Sequence, residues 1–220
     1  MSDTVLPPEA VMPRGLADAV RALPIWFVIG GQAVRCFCPY RPSHDVDFGV
    51  SDVTGMEDLL AQLGRAGCVE ISERSHDTAH LLWNGIDVSI FVLPFLLPYV
   101  AERRLDVTGI LGTKLHAILD RGTRRDFFDL YVTLQHHRLG IVECLRAIRQ
   151  VYDQDVNEGL LLRAMTYFED AEREAPLPGE GRADWATVKD YFLTSVGSLL
   201  VPPGRKLAIQ RRTVDVTRTE

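Results

Sequence analysis

Apolar and polar positions in the first half of the chain alternate in the way typical of strands that are separated by helices. An apolar run at residues 25–29 ends at Gly30-Gly31, as expected of a buried strand. From Asp45 to Val50 every second residue is apolar, which predicts a strand with one apolar face and one face that carries acids. Strands are predicted at residues 25–29, 45–50, 69–74, 80–83 and 86–92, and helices at residues 14–22, 32–37 and 54–66.

The second half of the chain has helical spacing throughout. Helices are predicted at residues 108–120, 124–135, 141–152, 158–174 and 185–198. The pattern predicts an α/β (α+β) protein with a core at residues 1–105, a helical lobe at residues 106–200 and a tail at residues 201–220. The tail contains a basic group that we interpret as solvated.

Composition limits the class of protein. Hydrophobic residues make up 46% of the chain and charged residues 25%, which is the balance of a soluble globular protein. The net charge of −6 argues against a broad positive surface for nucleic acids. The longest apolar stretch, residues 86–100, contains an aspartate and two prolines, so no membrane span is expected. The chain shows no secretory signal and no CxxC pair, and we therefore expect a cytoplasmic protein with reduced thiols.

The spacing of Asp45 and Asp47 indicates a cation site. Two residues apart on a strand, their side chains point to the same face. Two carboxylates so close repel each other unless a cation lies between them, and Mg²⁺ is commonly held by one or two carboxylates together with substrate phosphates. The other interpretation is a solvated strand edge that carries two acids.

Glycines and a third acid extend this candidate site. Gly30-Gly31 precedes a predicted helix, so its backbone can approach phosphate oxygens near a helix N-terminus. Asp87 opens the last predicted strand and shares a face with Ser89. It is either a third carboxylate for two metal ions or a turn cap after the Asn84-Gly85 hairpin signal.

Several charged residues of the predicted helical lobe lie at the borders of apolar helix faces. Lys114 borders the apolar stripe of its helix, so it either extends outward to solvent or reaches a phosphate site. Arg121 lies seven residues later on roughly the same face, and Asp126 borders the core of the next helix. Arg125 and Asp129 have the spacing of a surface ion pair.

Three segments together resemble the nucleotidyltransferase toxins of the AbiEii/AbiGii and MenT type. They are GGQAVRCFCPYRPSHDVDF at residues 30–48, the IDVSIF strand at residues 86–91, and KLHAILDRGTRRDFFDLYVTL at residues 114–134. The family pattern of Gly-Gly, Ser-x-Asp-x-Asp, Lys-x-x-Ala-x-x-x-Arg and Arg/Lys-Asp-x-x-Asp-Leu occurs in order in this chain. In one departure, Gln32 stands where small hydroxyl residues are common, so that Ser43 is left to supply the hydroxyl.

The resemblance implies a polymerase β-like nucleotidyltransferase core, with a small mixed twisted sheet and a C-terminal helical lobe. It implies one or two Mg²⁺ ions held by Asp45 and Asp47, a nucleoside triphosphate bound by Ser43 and Lys114, and support of the site by Asp126. In the family the acceptor can be the 3′ end of tRNA, and a separately encoded antitoxin is the expected partner. The alternatives are transfer to a small molecule or a protein hydroxyl, and a nucleotide-binding protein without catalysis.

An RNA acceptor needs positive charge beside the cleft. We expect this charge to come from arginines that flank the Asp45 strand or lie near Lys114, with Arg41 and Arg124 the most exposed. The candidate acceptor-binding residues are Arg35, Arg41, Arg121, Arg124 and Arg125.

Overall fold

The computed structural model describes residues 5–43, 45–153, 156–181 and 184–200. Two short helices, α1 (Pro8–Val11) and α2 (Arg14–Val20), precede strand β1 (Trp26–Val28). The elements that follow are α3 (Gly30–Phe37), β2 (Val46–Val50), α4 (Val53–Ala66), β3 (Val69–Arg74), β4 (Thr78–Trp83) and β5 (Ile86–Val92). The predicted strands and helices of the first half are therefore all present, within about two residues at most ends.

The second half is helical, as its spacing predicts. A 3₁₀ helix (Pro94–Tyr99) and two short strands, β6 (Val100–Ala101) and β7 (Arg104–Leu105), lead into it. The helices are α5 (Val107–Asp120), α6 (Arg124–His137), α7 (Ile141–Tyr152), α8 (Glu158–Ala164), α9 (Glu169–Arg173) and α10 (Asp184–Leu200). The tail predicted at residues 201–220 lies outside the described residues.

One helix prediction was wrong. The single helix expected at residues 158–174 is broken between α8 and α9, where Thr166 and Tyr167 donate i→i−3 hydrogen bonds that tighten and end the turn. Met165, at this break, is fully buried. The 3₁₀ helix was not predicted either. Pro94 and Pro98 lack the backbone N–H that a longer α-helix would need.

Seven strands form one mixed sheet in the order β3-β4-β5-β2-β1-β7-β6. Strand β2 lies in the middle, antiparallel to β1 and parallel to β5. In the β2–β5 register, Val46 is opposite Val88 and Asp47 is opposite Ser89. Strand β4 is antiparallel to β5 and places His80 opposite the same Ser89. The register therefore places Asp47, Ser89 and His80 side by side on three neighbouring strands.

Two hydrophobic cores flank the junction between the sheet and the helical lobe. The first surrounds the sheet and includes Trp26 and Phe48, whose rings meet edge to face. The second is built from α5 to α10 around Phe127 and Phe192. Asp106 caps the N-terminus of α5 by accepting a hydrogen bond of 2.8 Å from Gly109 N, which fixes where the helical lobe begins. No helix in the described part of the chain is both long and apolar enough to cross a membrane.

Candidate active site

A cleft of about 410 Å³ lies between the sheet and helices α5 and α6. We call it the interlobe cleft. The sheet contributes Asp47, His80, Ser89 and Phe91, and the segment between β1 and β2 contributes Gly30, Gly31, Arg41, Ser43 and Asp45. The helical side contributes Thr113, Lys114, Ala117, Arg121, Arg125 and Tyr152. Most residues singled out in the sequence therefore face one another across a single opening.

Asp45 is held from two directions. Ser43 Oγ donates a 2.7 Å hydrogen bond to its Oδ1, and Arg125 donates one of 2.9 Å to its Oδ2. Burial works against ionisation of Asp45, but the hydrogen bonds and charge of Ser43 and Arg125 outweigh it and hold its pKa below the ordinary value. Asp45 is therefore a fixed anion at the edge of the cleft.

Asp47 lies deeper and has no such support. No donor among the described residues hydrogen-bonds to its carboxylate. Burial, and then the neighbouring charge of Asp45, raise its pKa above the ordinary value. The more distant charges of Lys114, Arg125 and Arg121 only partly offset this effect. A carboxylate in this position gains most from a cation that binds it directly.

Gly30 makes room for the Asp47 carboxylate. Its φ is +58°, a left-handed backbone conformation that residues with a side chain rarely adopt. A Cβ at this position would lie 2.6 Å from Asp47 Oδ2. At Gly31 a Cβ would lie 3.0 Å from Arg41 and 3.3 Å from Ser43 Oγ. The two glycines thus let the start of α3 lie directly against the residues that line the cleft.

The Gln32 side chain points away from the cleft. It is 1% exposed and donates a 3.0 Å hydrogen bond to the carbonyl of Asp45. Its oxygen accepts a hydrogen bond from Arg35. Gln32 therefore fixes the chain where β2 begins, and Ser43 is one of the hydroxyl-bearing residues that line the cleft.

Lys114 reaches the cleft from α5, and its charge is held by α6. Its Nζ lies 2.7 Å from Asp129 and 3.3 Å from Asp126, and its side chain is only 6% exposed. Burial alone would lower the pKa of Lys114, but Asp129 and Asp126 outweigh it and keep the pKa above the ordinary value. The lysine does not extend outward to solvent, and it remains a cation.

The carboxylates of α6 position further cations. Asp126 accepts hydrogen bonds from Arg121 at 2.9 and 3.1 Å and from Thr123. Asp129 accepts from Arg41 at 3.1 Å and from Tyr40 at 2.6 Å. The interpretation of Arg125 and Asp129 as a surface ion pair is therefore wrong, because Asp129 faces the buried Lys114 and Arg41 whereas Arg125 contacts Asp45.

The structure does not bring Asp87 into the cleft. Asp87 lies on β5, one position before Val88, which pairs with Val46 of β2, and it is exposed. Ser89 occupies the position opposite Asp47 instead. Among the described residues no group of three or more Asp, Glu, His or Cys side chains is arranged to hold a metal ion. We therefore omit Asp87 from the candidate metal site.

Two of the five acceptor arginines lie elsewhere. Arg124 is buried, with hydrogen bonds to Glu180 at 2.5 and 2.9 Å and its guanidinium 4.5 Å from the centre of the Trp185 ring. Arg35 donates to the carbonyl of Val11 and to Gln32, away from the cleft. Because both arginines have structural partners inside the protein, the expectation that they line an exposed basic rim is wrong.

Arg41 and the two remaining arginines do line the cleft, although each is paired. Arg41 lies between Tyr40 and Asp129 and its side chain is only 8% exposed, so the expectation that it is among the most exposed arginines is also wrong. Arg121 and Arg125 are paired with Asp126 and Asp45 and keep 48% and 42% of their side chains exposed. The positive edge of the cleft is thus narrow.

Sequence reasoning missed His80 and the aromatic side of the cleft. His80 Nδ1 lies 2.9 Å from Ser89 Oγ. Tyr152 lines the opposite side, stacked on His116 with ring centres 4.5 Å apart and close to Phe95. The buried residues of β4 are Ala79, Leu81 and Trp83, so the alternation could have placed His80 on the opposite face, which lines the cleft. The position of Tyr152, at the end of α7, depends on packing between distant elements.

Comparison with known proteins shows which family and which relative this chain resembles. Residues 97–204 match the family model described as "Nucleotidyl transferase AbiEii toxin, Type IV TA system". The chain is 25% identical over 184 residues to the uncharacterized protein aq_aa25 of Aquifex aeolicus (strain VF5), a match that covers 80% of this chain and 88% of that protein.

Among solved structures, the fold is similar to that of a candidate nucleotidyltransferase from H. pylori. The TM-score is 0.57 with 17% sequence identity, and the match covers 91% of this chain and 98% of the other. This similarity confirms the predicted fold class. The family match contains the Lys114 and Asp126 segment, whereas the Gly-Gly and Asp-x-Asp segment precedes it. The resemblance to the AbiEii nucleotidyl transferase toxins that the three motifs indicated is thereby confirmed.

Proposed function

We propose that this protein is a Mg²⁺-dependent nucleotidyltransferase that moves a nucleotide from a nucleoside triphosphate to a hydroxyl of an acceptor. One observation carries the proposal. The Asp47 carboxylate lies beside Asp45 with no hydrogen-bond donor among the described residues, and it faces the cations Lys114, Arg121 and Arg125 across the cleft. The two aspartates on one side of the cleft are stabilised by a cation, and the basic residues on the other side are stabilised by an anion. A triphosphate that carries a bound metal ion supplies both charges.

The carboxylates fit Mg²⁺ because this ion takes oxygen ligands and usually needs only one or two from the protein. When bound by Asp45 and Asp47, Mg²⁺ would offset phosphate charge and orient the triphosphate. Gly30 and Gly31, at the start of α3, line the cleft beside these aspartates, where the N-terminus of the helix favours phosphate oxygens.

The helical side supplies fixed charge for the phosphates. Lys114 is kept in place by Asp126 and Asp129, and Arg121 by Asp126. Because these cations are oriented before substrate binds, little reorganisation is needed when charge shifts toward the leaving pyrophosphate. Asp126 therefore supports the site through Lys114 and Arg121, without itself lining the cleft.

The acceptor we propose is RNA, at the 3′ end of tRNA, with the protein acting as a toxin that is restrained by a separate antitoxin. The description of the matching family, a toxin of a type IV toxin–antitoxin system, supports the biological setting. Arg41, Arg121 and Arg125 beside the cleft supply charge for an RNA backbone.

A small-molecule acceptor is the second candidate. Arg35 and Arg124 lie away from the cleft, and the three arginines that remain are each paired with a carboxylate. The overall charge of −6 also disfavours RNA. This narrow positive edge would serve a small substrate as well as an RNA end.

The experiment is a transfer assay in which the purified protein, Mg²⁺ and each of the four α-³²P-labelled nucleoside triphosphates are incubated with total tRNA or with a protein-free metabolite extract. We expect label on tRNA, and expect Asp47→Asn to reduce it by at least ~100-fold, since metal stabilisation contributes several kcal/mol. Asp87→Asn is the matched control, an aspartate on the neighbouring strand outside the cleft, and should retain near-full activity.

Label found only in the metabolite fraction would support the small-molecule acceptor. Binding of a triphosphate without transfer to tRNA, protein or metabolites would contradict the proposal and indicate a nucleotide-binding protein without catalysis.

A further inference from the structure

One row of side chains crosses the floor of the interlobe cleft on three neighbouring strands. Asp47 on β2 is opposite Ser89 on β5, and Ser89 is opposite His80 on β4. All three line the cleft. Since neighbouring strands lie about 4.8 Å apart, the Ser89 hydroxyl lies between the Asp47 carboxylate and the His80 ring.

The His80 ring is held in a defined orientation. Its Nδ1 lies 2.9 Å from Ser89 Oγ, and the Phe91 ring meets it edge to face with centres 5.6 Å apart. No described residue hydrogen-bonds to its Nε2. When Nδ1 carries the ring proton and donates it to Ser89, Nε2 keeps a lone pair that is available to a bound molecule.

The carboxylates and cations of the cleft already have partners or assigned roles. Asp45 is bonded to Ser43 and Arg125, and the proposed function gives Asp47 to the metal ion. The cations of the helical side cannot accept a proton. Asp87, the third carboxylate of the sequence prediction, lies outside the cleft, and Ser89 stands opposite Asp47. His80 is therefore the described side chain best placed to act as a base near Asp47.

We propose that His80 is a further catalytic residue, the general base that takes the proton of the attacking hydroxyl, and that Ser89 positions it. The inference rests on the proposed nucleotidyl transfer. In the step, the acceptor oxygen forms a bond to the α-phosphorus of the triphosphate while the bond from that phosphorus to the bridging oxygen of the β-phosphate breaks. Pyrophosphate leaves with the electron pair, and the hydroxyl proton moves to His80 Nε2 and then to solvent.

The test compares His80→Gln and His80→Ala with the wild-type chain in the labelled-nucleotide assay, with total tRNA as acceptor. Glutamine keeps a polar side chain on the strand but cannot act as a base. His76→Gln is the matched control, because His76 is an exposed histidine in the turn before β4 and does not line the cleft. Binding of Mg²⁺ and an uncleavable α,β-methylene triphosphate is measured in parallel, and melting temperatures report folding.

We expect His80→Gln to slow transfer roughly 100-fold or more, the usual contribution of a general base, with triphosphate binding changed less than about threefold. Added imidazole should restore part of the transfer by His80→Ala, a response that a purely structural histidine would not give. His76→Gln should behave as the wild type.

Transfer by His80→Gln within about threefold of the wild type would overturn the inference, as would a lack of imidazole rescue or a loss of triphosphate binding equal to the loss of transfer. Each of these results leaves the proposed function intact if Asp47→Asn is inactive. If the wild-type chain transfers nothing to any acceptor, the proposed function fails, and the role of His80 fails with it.

Discussion

The substitution Gly30→Ala tests whether the position of the Asp47 carboxylate, rather than the stability of the fold, limits activity. The added methyl group would lie 2.6 Å from Asp47 Oδ2, and Cβ contacts shorter than 3.0 Å are essentially never observed. Either the backbone at the start of α3 or the carboxylate must therefore move by at least ~0.4 Å, the difference between these two distances. The carboxylate moves more easily than the backbone, because it lies at the end of a side chain and no described donor hydrogen-bonds to it.

The expected effect of Gly30→Ala has two separable parts, a loss of folding stability and a loss of activity. An alanine at φ +58° costs about 1–2 kcal/mol of backbone strain, partly offset by about 0.4–1 kcal/mol from the less flexible unfolded chain. For a chain of this length that is a decrease of a few degrees in melting temperature. The displaced carboxylate adds little to this cost, but a misplacement of up to an ångström can reduce a reaction rate about 100-fold.

The control variant Gly85→Ala separates the loss of stability from the loss of activity. Gly85 also has a left-handed φ, +79°, but a Cβ there would meet no atom within 4 Å. We expect the two variants to lose similar stability in thermal unfolding, whereas only Gly30→Ala loses Mg²⁺-triphosphate binding and transfer. Full activity in Gly30→Ala, or equal losses of activity in both variants, would refute the reasoning that Gly30 makes room for Asp47.

Three further predictions concern the charged residues of the helical lobe. Lys114→Met leaves Asp126 and Asp129 without their shared buried partner, so denaturant unfolding should show that the free energy of unfolding falls by about 3 kcal/mol. The variant should also bind the triphosphate more weakly. Unchanged stability would contradict the buried ion pairs. Arg124→Ala should lower the melting temperature by several degrees but leave transfer to tRNA unchanged, because Arg124 is paired with Glu180 outside the cleft; a selective loss of transfer would return it to the acceptor site. The third concerns pH. Burial of Asp126 is outweighed by Lys114, Arg121 and Thr123, which hold its pKa below the unfolded value of about 3.9. Its contribution to stability is therefore present above about pH 4 and is lost as pH falls toward the folded pKa. Asp126→Asn should flatten the acid side of the stability profile, and identical profiles for variant and wild type would refute this.

Local spacing predicted the parts of the site that depend only on local geometry. Asp45 immediately precedes β2 and Asp47 lies on it, and the structure places both in one cleft. Gly30-Gly31 between an apolar strand and a helix predicted a close approach of the backbone to phosphate oxygens, and in the structure the side chains of Asp47, Arg41 and Ser43 lie near these glycines. Such relations hold over a few residues, where strand and helix periodicity determine the direction of each side chain.

Contacts between residues that lie far apart in the sequence could not be predicted from local spacing. Arg124 and Arg125 are consecutive and looked alike in sequence, yet one is paired with Glu180 and the other with Asp45. Which carboxylate an arginine meets depends on how α6 packs against the sheet and against the segment between α9 and α10. The same applies to Asp87, because its place relative to Asp47 is fixed by the parallel register of β5 against β2, which strand periodicity alone does not determine.

The distribution of charge explains why helix α6 is important to a site that it barely lines. Asp126 and Asp129 lie inside the protein and hold Lys114, Arg121 and Arg41 in place. Without these carboxylates the buried Lys114 would tend to lose its proton, and the guanidinium groups would be free to move into solvent. With them, the cations stand fixed opposite Asp45 and Asp47, and Arg125 already contacts Asp45 across the cleft. A substrate that brings both a cation and an anion can bind each side without repulsion, whereas a bare anion would meet the two aspartates and a bare cation the basic side. Under the proposed function, this arrangement would favour a metal-bound phosphate over either component alone.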